Sequence, residues 1–553
     1  MKKLFLIIAV FCFIINLQAQ ENNVRDIMKG REEYVFAFNF DDVANLNDIS
    51  RIVSIDKVDG GIVTAYANEA EYERFLALNI EHQLVMPEHL LKDFKMFDGS
   101  RAEYEWDAYP TYSAYEAMMF QFAEDHPDKC SIIELGTLSS GHKILVARLN
   151  DGTIDGEPKF LYSSTMHGDE CTGFVMMLRL IDYLLTTDDA QVNNLINNLD
   201  IFICPNANPD GTYRWTDDNV NTATRDNASG IDLNRNYPDS RVGEHPDGNE
   251  YAAETQMFLQ LASDYQFVMA ANYHGGSEVL NYPWDNYYQV HADNMWWKYV
   301  CHEYADLTHL VDPNYMTDYD NGIVNGFQWY MITGSRQDYM NYYAACREVT
   351  IECSTVKIPD ASQLPSYWNK NKESMLTYMG EALKGIHGVV TDSLTGEPLE
   401  VEVFVEDHDK VYSKIHSNLP LGDFHRVING GNWTLKFSAE GYKDKYVEVA
   451  IEDGGRVDID VAMTPSGFSI DENEDDFVKV YPNPAEDVLN ITTSNSESVR
   501  WTISDISGRV IMAGEAEGRS EASGVDVSSL NSGIYILEVR SDSFYVSRKI
   551  AVR

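Results

Sequence analysis

Hydrophobic and polar positions alternate in short, regular runs over residues 31–87. Glu33 to Phe40, Arg51 to Lys57, Gly61 to Ala67 and Ile80 to Val85 carry the period-two pattern of half-buried strands, whereas Val43 to Ile49 and Glu69 to Leu78 have helical spacing. The βαββαβ order predicts a small ferredoxin-like α+β sandwich, which with a polar connector fills residues 21–104. This stretch shows no cluster of chemistry-bearing residues. From 105 to 384 the pattern changes to alternating strands and longer helices. The strands are Ile132 to Leu135, Lys143 to Asn150, Phe160 to Ser163, Ile201 to Cys204, Phe267 to Tyr273 and Glu348 to Glu352. Helices Ala114 to Glu124, Thr172 to Leu185, Glu250 to Asp264, Asn294 to Leu307 and Asn371 to Leu383 complete an α/β domain whose mixed central sheet is covered by helices on both faces. Residues 385–463 return to short strands broken by turns such as Leu394-Thr395-Gly396-Glu397-Pro398, which predicts a small β-sandwich. A linker over 464–476 ends in an acidic run, and a second small β-sandwich fills 477–553.

Chemistry concentrates at strand ends. The run Phe160-Leu161-Tyr162 breaks into His167-Gly168-Asp169-Glu170 just before a helix, so an imidazole and a carboxylate can meet one cation. His-x-x-Glu alone is weak, because 14 histidines make such a pair by chance on the order of once. It gains weight from His274, at the end of another strand, and from Glu352, at the end of a third. In open α/β sheets, sites form outside the carboxyl ends of strands. We therefore expect a catalytic site for one Zn2+ with His167, Glu170 and His274 as ligands and a fourth position open. Glu352 is the candidate general base, and later acid to a leaving amine. A negative oxygen developing on an attacked carbonyl calls for a cation, and Arg225 or Arg235 in the long polar segment between Asn206 and Gly248 can supply it. Asn234 beside Arg235 suits bidentate capture of a carboxylate.

Composition narrows the setting. Lys2-Lys3, apolar Leu4 to Leu17 and Gln18-Ala19-Gln20 form a signal peptide over residues 1–20, so the chain is expected to be exported. No later run approaches a membrane span. A formal net charge of −46 argues against nucleic acid and anionic lipid as partners. Six cysteines beyond Cys12 are too sparse and irregular for a disulfide scaffold or a Cys-x-x-Cys metal site.

Several motifs together resemble the zinc metallocarboxypeptidases, and within them the carboxypeptidase N/E/D branch. They are His167 to Glu170, Asn208-Pro209-Asp210-Gly211, Arg225 to Ala228, Asp232-Leu233-Asn234-Arg235-Asn236-Tyr237-Pro238, His274 through Asp285, and Trp329-Tyr330 through Gln337-Asp338 to Glu352. The resemblance implies the metallocarboxypeptidase fold, zinc on His167, Glu170 and His274, and Glu352 as general base and acid. It further implies Arg225 on the scissile carbonyl, Asn234 and Arg235 on the terminal carboxylate, Tyr330 as a mobile phenol over substrate, and Asp232 orienting an imidazole ligand, His167. Two stretches depart from the branch, Gly334-Ser335-Arg336 and Gln337-Asp338-Tyr339-Met340-Asn341-Tyr342, and both bear on the wall of the specificity pocket. Residues 385–463 resemble the transthyretin-like domain of the same branch. Residues 477–553, with Val480-Tyr481-Pro482-Asn483-Pro484 and Leu530 to Tyr535, resemble the type A sorting domain of the Bacteroidetes type IX secretion system. That implies passage through the periplasm of a Gram-negative bacterium to the cell surface or medium, with the type IX machinery as a partner. The N-terminal module has the layout of the family's activation segment.

The substrate expected is therefore a peptide or protein C-terminus. A pocket for Arg or Lys needs a carboxylate at its base, because an unpaired cation held away from water is costly. Asp285 is the candidate, and it and Gln337 stand where basic-specific members of the branch carry Asp and Gln. Two rivals remain: a cell-wall peptide amidopeptidase of the same fold, and a non-catalytic surface binder. Asn234, Arg235 and Asp285 favour peptide C-termini over the first, and the intact zinc, Arg225 and Glu352 set argues against the second.

Overall fold

The computed structural model describes residues 23–100, 104–152, 156–410, 412–466, 478–493, 498–506, 508–516, 523–541 and 545–553. The expected signal peptide over 1–20 and most of the expected 464–476 linker lie outside them. The organising element is an eight-stranded sheet in the order Ile323–Asn325, Glu278–Tyr282, Arg347–Cys353, Met269–His274, Lys159–Ser164, Asp200–Cys204, Lys143–Leu149 and Cys130–Thr137. Its four central strands, from Arg347–Cys353 to Asp200–Cys204, run parallel, and antiparallel pairings flank them. Both faces are covered, and strand alternation divides the core. Phe160, Tyr162, Ala271 and Tyr273 pack on one side, while Leu161, Phe202 and Ala270 pack on the other. Helix Thr172–Thr186 is buried along most of its length, and helices Asn294–Val311 and Leu364–Gly380 pack on the same core.

Two strands that the pattern did not predict, Glu278–Tyr282 and Ile323–Asn325, form one edge. Two further helices, Ala190–Asn198 and Arg336–Tyr342, also went unanticipated. The strand pair is short and set among Gly, Pro and Asn, so its periodicity is masked by turn chemistry.

The N-terminal module has the expected βαββαβ order, preceded by an extra helix over residues 23–31. Its sheet runs Ser54–Asp59, Ile62–Ala67, Tyr34–Asn39, His82–Leu84, all antiparallel. Phe36, Phe38, Ile55, Val63, Tyr72 and Phe75 give it a hydrophobic core of its own, separate from the two cores of the large sheet. On the other side, residues 385–463 form two packed four-stranded sheets around Ile386, Val403, Phe424 and Leu435. This sandwich is fixed to the α/β domain by buried charge. Asp293, just before helix Asn294–Val311, accepts from Arg347 (2.9 Å), Arg426 (2.7 Å) and His408 (2.7 Å), and Arg426 also reaches Asp409 (2.6 Å). The last module pairs a three-stranded with a four-stranded sheet. All six cysteines of the described residues are buried and unpaired. Among the described residues no helix is long and apolar enough to cross a membrane.

Candidate metal centre and peptide cleft

The parallel register builds the centre. His274 ends its strand directly opposite Glu352 on the neighbouring strand, and His167 follows three residues after Lys159–Ser164 on the other side. His167 Nδ1 lies 2.9 Å from Glu170 Oε1, His274 Nδ1 lies 2.8 Å from Glu170 Oε2, and the two Nδ1 atoms face each other at 3.1 Å. His167 Nε2 is 3.1 Å from Asp232 Oδ1, which fixes its proton there and leaves a lone pair on Nδ1. His274 Nε2 meets the amide of Asn272 at 2.7 Å, while the other end of that amide lies 2.8 Å from Ser163 Oγ. With Asn272 Oδ1 turned to His274, Nε2 carries the imidazole proton and His274 also presents a bare Nδ1, while Asn272 Nδ2 then donates to Ser163 Oγ in place of Oδ1 accepting from it. Three acceptors then converge with no hydrogen among them, an arrangement a cation satisfies. Their ligand atoms lie within 4.8 Å of one another, and the two-imidazole, one-carboxylate donor set fits catalytic zinc. Burial pushes His274 down to about 4 despite the Glu170 carboxylate, so it stands as a neutral imidazole.

The long segment 206–248 is ordered, and its stretches 206–213, 223–227 and 232–237 are buried against the centre. Hydrogen bonds hold its inner turn: Asn208 accepts from the Gly211 N–H (2.8 Å) and donates to Met166 O (3.1 Å), and Thr224 N–H donates to Gly211 O (2.9 Å). Asp232 is its hub. One oxygen takes His167 and the Asn234 N–H (2.8 Å), and the other takes Arg225 Nε (3.1 Å). Burial would raise this carboxyl, but Arg225, His167 and Arg235 hold it well below the usual carboxylate range.

The ligands line one end of a narrow cleft whose walls also include Arg225, Asn234, Arg235, Asp285, Tyr330 and Glu352. Two of its charged groups have unsatisfied atoms, and a third has no ion pair. Arg235 Nε and Nη2 are buried without a hydrogen-bond acceptor among the described residues, and so is Glu352 Oε2 without a donor. Asp285 is 1% exposed and has no ion pair there with any cationic side chain among the described residues. Asn281 Nδ2 (3.1 Å) and Gln337 Nε2 (3.0 Å) hold its Oδ1, and Gln337 in turn is locked by the Thr350 N–H (2.8 Å). Gln337 thus stands behind Asp285 instead of lining the cleft. Gly326 is required here, since a Cβ would come within 1.9 Å of Asp285 Oδ1. Burial pushes Asp285 up to about 6 against the hydrogen bonds it accepts. Arg336, the departure expected to alter the pocket wall, points elsewhere. It is 1% exposed, donates to Ser163 Oγ (2.6 Å) and pairs with Glu348 (2.8 Å) beneath the sheet.

What the sequence did not suggest is the N-terminal module's reach into this centre. Asp56 Oδ1 lies 2.7 Å from Lys357 Nζ and 3.4 Å from Arg225 Nη1. Asp56 is the bulged residue where strand Ser54–Asp59 slips register against Ile62–Ala67, and the bulge re-aims its side chain out of the sheet. Ser54 Oγ donates to Asp232 (2.6 Å), Glu33 accepts from the Arg225 N–H (2.6 Å), and Tyr66 lies under both Lys357 (4.5 Å) and Arg225 (5.7 Å). Tyr330 packs against the module's core. Burial, then the Glu170 and Asp56 carboxylates, push Glu352 well above the usual range, with Lys357 and Arg225 opposing.

Docking of this module has a pH signature. Burial, with Asp169 nearby, raises Glu33 to about 7 from an ordinary 4.5. Docking therefore retains a proton between those values, so this group's contribution is full below 4.5 and is lost as pH rises towards 7. Glu33→Gln removes the charge. After cleavage of the connector, its module should outlast the wild-type module on the α/β domain by about tenfold or more at pH ~8 and by no margin at pH ~4.5. Residence times read by size-exclusion chromatography check this, and an equal ratio at both pH values would exclude Glu33 as the group concerned.

Fold and site together point to a metallohydrolase built on an open α/β sheet. Residues 115–374 match the zinc carboxypeptidase family, and residues 479–553 match a secretion system C-terminal sorting domain. The chain is 32% identical over 312 residues to carboxypeptidase M of Mus musculus, covering 53% of this chain and 68% of that one. It is 28% identical to carboxypeptidase E of Caenorhabditis elegans (71% and 94% covered) and 28% identical to carboxypeptidase D of Rattus norvegicus (69% and 29%). Of the carboxypeptidase D relatives it therefore spans less than a third of the length. In fold it is similar to the crystal structure of thrombin activatable fibrinolysis inhibitor, with a TM-score of 0.50 at 16% identity over 63% of this chain and 98% of that one. The chain belongs to the zinc carboxypeptidase family.

Proposed function

We propose that this protein is an exported zinc carboxypeptidase that removes single C-terminal Arg or Lys residues from peptides and proteins, and that its N-terminal module holds it latent. The observation that carries this reading is a set of buried charges in one cleft that lack a partner among the described residues: the Arg235 guanidinium with two nitrogens free of an acceptor, the Asp285 carboxylate with hydrogen bonds but no ion pair, and one oxygen of Glu352 free of a donor. A basic C-terminal residue answers the first two, its carboxylate on Arg235 with Asn234 beside it, and its cationic end on Asp285. Zinc held by His167, Glu170 and His274 would supply Lewis-acid chemistry. Glu352 takes the proton of the attacking water and returns it to the leaving amine, and Arg225 faces the oxygen that gains charge. Asp232 keeps His167 and Arg225 in place. Tyr330 is the residue free to close over the peptide once the N-terminal module leaves. The carboxypeptidase M, E and D relatives and the sorting domain support the branch and the export.

A panel of peptides ending in Arg, Lys, Leu or Phe, incubated with and without a zinc chelator and read by mass, tests the reading. Chelator-sensitive loss of single C-terminal residues is expected; cleavage of cell-wall fragments alone, or no cleavage, would replace it with one of its rivals. Latency has its own test. Cleavage at a specific protease site placed in the connector at 98–104 should raise activity on the order of tenfold or more, because Asp56 and Tyr66 then leave Arg225 and Lys357. Unchanged activity would end that part of the proposal.

A further inference from the structure

Lys357 stands just past the Glu352 strand and takes no part in the chemistry above. Its side chain is 10% exposed, and its Nζ meets three carboxylates: Asp56 at 2.7 Å, Glu170 at 3.0 Å and Asp169 at 3.4 Å. Its backbone fixes its place, since the Cys171 N–H donates to Lys357 O (3.1 Å), and its stem lies against Gly276, where an added Cβ would sit 3.6 Å from Cε. Glu170 is a metal ligand, so its charge is committed. The nearest partner, Asp56, belongs to the module proposed to leave, and Tyr66, whose ring covers the ammonium, leaves with it.

Position says what replaces them. The groups for the terminal residue, Asn234, Arg235 and Asp285, line the cleft together with the ligands and Asp56, whereas Lys357 is not among its walls and meets it through Glu170 and Asp56. A peptide whose terminal carboxylate is held at Arg235 must run out past the ligands on the open side, where the N-terminal module now lies. Asp56, turned out at its strand's bulge, demonstrates that a side-chain carboxylate fits there, on two cations at once.

We propose that Lys357 is a specificity-determining residue that receives an acidic side chain of the substrate from one of the two positions directly upstream of the scissile bond. The preferred C-terminal ends are then acidic first and basic last. This rests on the carboxypeptidase reading and adds to it a second, oppositely charged subsite.

The test uses zinc-loaded protein after connector cleavage and peptides that all end in Arg, with Glu, Gln or Lys at either upstream position. The Glu peptide should exceed the Gln peptide by about tenfold in kcat/KM at low salt at one of the two positions, chiefly through KM, with Lys poorest and the margin shrinking as salt is raised. In Lys357→Met the Glu-to-Gln ratio should fall to about one while the Gln peptide is still turned over, and Lys357→Arg should keep the ratio. A ratio near one in the wild type, or a ratio that survives in Lys357→Met, overturns the proposal. Binding of the same peptides to the Glu352→Gln protein by calorimetry separates the two readings. If no Arg peptide is cleaved yet the Glu peptide binds tighter through Lys357, the carboxypeptidase reading fails and the acidic subsite stands. If Arg peptides are cleaved without a Glu preference, the subsite alone fails, and equal binding of all peptides without cleavage overturns both.

Discussion

Replacing Glu352 by Gln is expected to leave zinc bound and to lower kcat by about three to five orders of magnitude. Glu352 is not among the three side chains whose ligand atoms converge, so the substitution removes no donor. It removes the group that can accept a proton. Its Oε2 is buried beside the centre without a hydrogen-bond donor among the described residues, and the parallel register places Glu352 opposite His274, where an attacking water would lie. A glutamine of the same shape fills the space and can orient water, but it has no basic oxygen of comparable strength. Zinc content by elemental analysis, with single-turnover rates on an Arg-ending peptide, measures both halves of the prediction. Lost zinc would make Glu352 a ligand or its support, and substantial residual turnover would move the base elsewhere. The docked N-terminal module works against the same group. Asp56 is one of the carboxylates that push Glu352 up, so release of the module lowers its pKa and favours the ionised base that the reaction needs.

How much of this was legible in the sequence depends on the range of the contacts. His167, Glu170, His274 and Glu352 could be read because each marks the end of an apolar run, and parallel strands carry such ends to one edge of the sheet. The register that sets His274 against Glu352 adds geometry to a pattern already visible. Asp56 could not be read this way. It sits in an ordinary alternating strand, and only a bulge in its pairing with Ile62–Ala67 turns it out of the module towards Arg225, whose sequence number is far away. Lys357 was equally silent, since one lysine in a polar turn has no pattern until Glu170 and Asp56 are seen beside it. Arg336 misled in the opposite sense. A cation next to the expected pocket residues suggested a changed wall, but Glu348, twelve residues on and one strand away, draws it under the sheet. The direction of a long side chain is decided by the partner that compensates its burial, and that partner is rarely a neighbour in sequence.

Asp285 is where the site's specificity should be won or lost. Its carboxylate is buried, held from behind by Asn281 and Gln337, and forms no ion pair among the described residues, Arg235 across the cleft acting on it only at longer range, so its charge is left for a ligand. An Arg or Lys side chain entering the cleft loses its hydration and recovers it only through that carboxylate. A Leu or Phe side chain gains no such partner and leaves Asp285 buried and unpaired. Wild-type protein, freed of its N-terminal module, should therefore prefer C-terminal Arg and Lys over Leu and Phe by a factor on the order of a hundred or more in kcat/KM. In Asp285→Ala, Arg and Lys should lose about that factor while Leu and Phe hold or improve. The pH dependence carries an independent sign. Burial raises Asp285 from 3.8 to about 6, and only the ionised form answers a cation, so kcat/KM for Arg peptides should fall about tenfold per unit below pH 6, more steeply than for Phe peptides. In Asp285→Ala the two peptides should share one acid limb. Equal rates on Arg and Phe in the wild type, or an Arg preference undiminished by the substitution, would show that the cation is met elsewhere. With Arg336 turned beneath the sheet, Asp338 would be next to examine, since it accepts the backbone N–H groups of Asp285 (3.0 Å) and Asn286 (3.0 Å) and is the nearest second carboxylate behind the pocket.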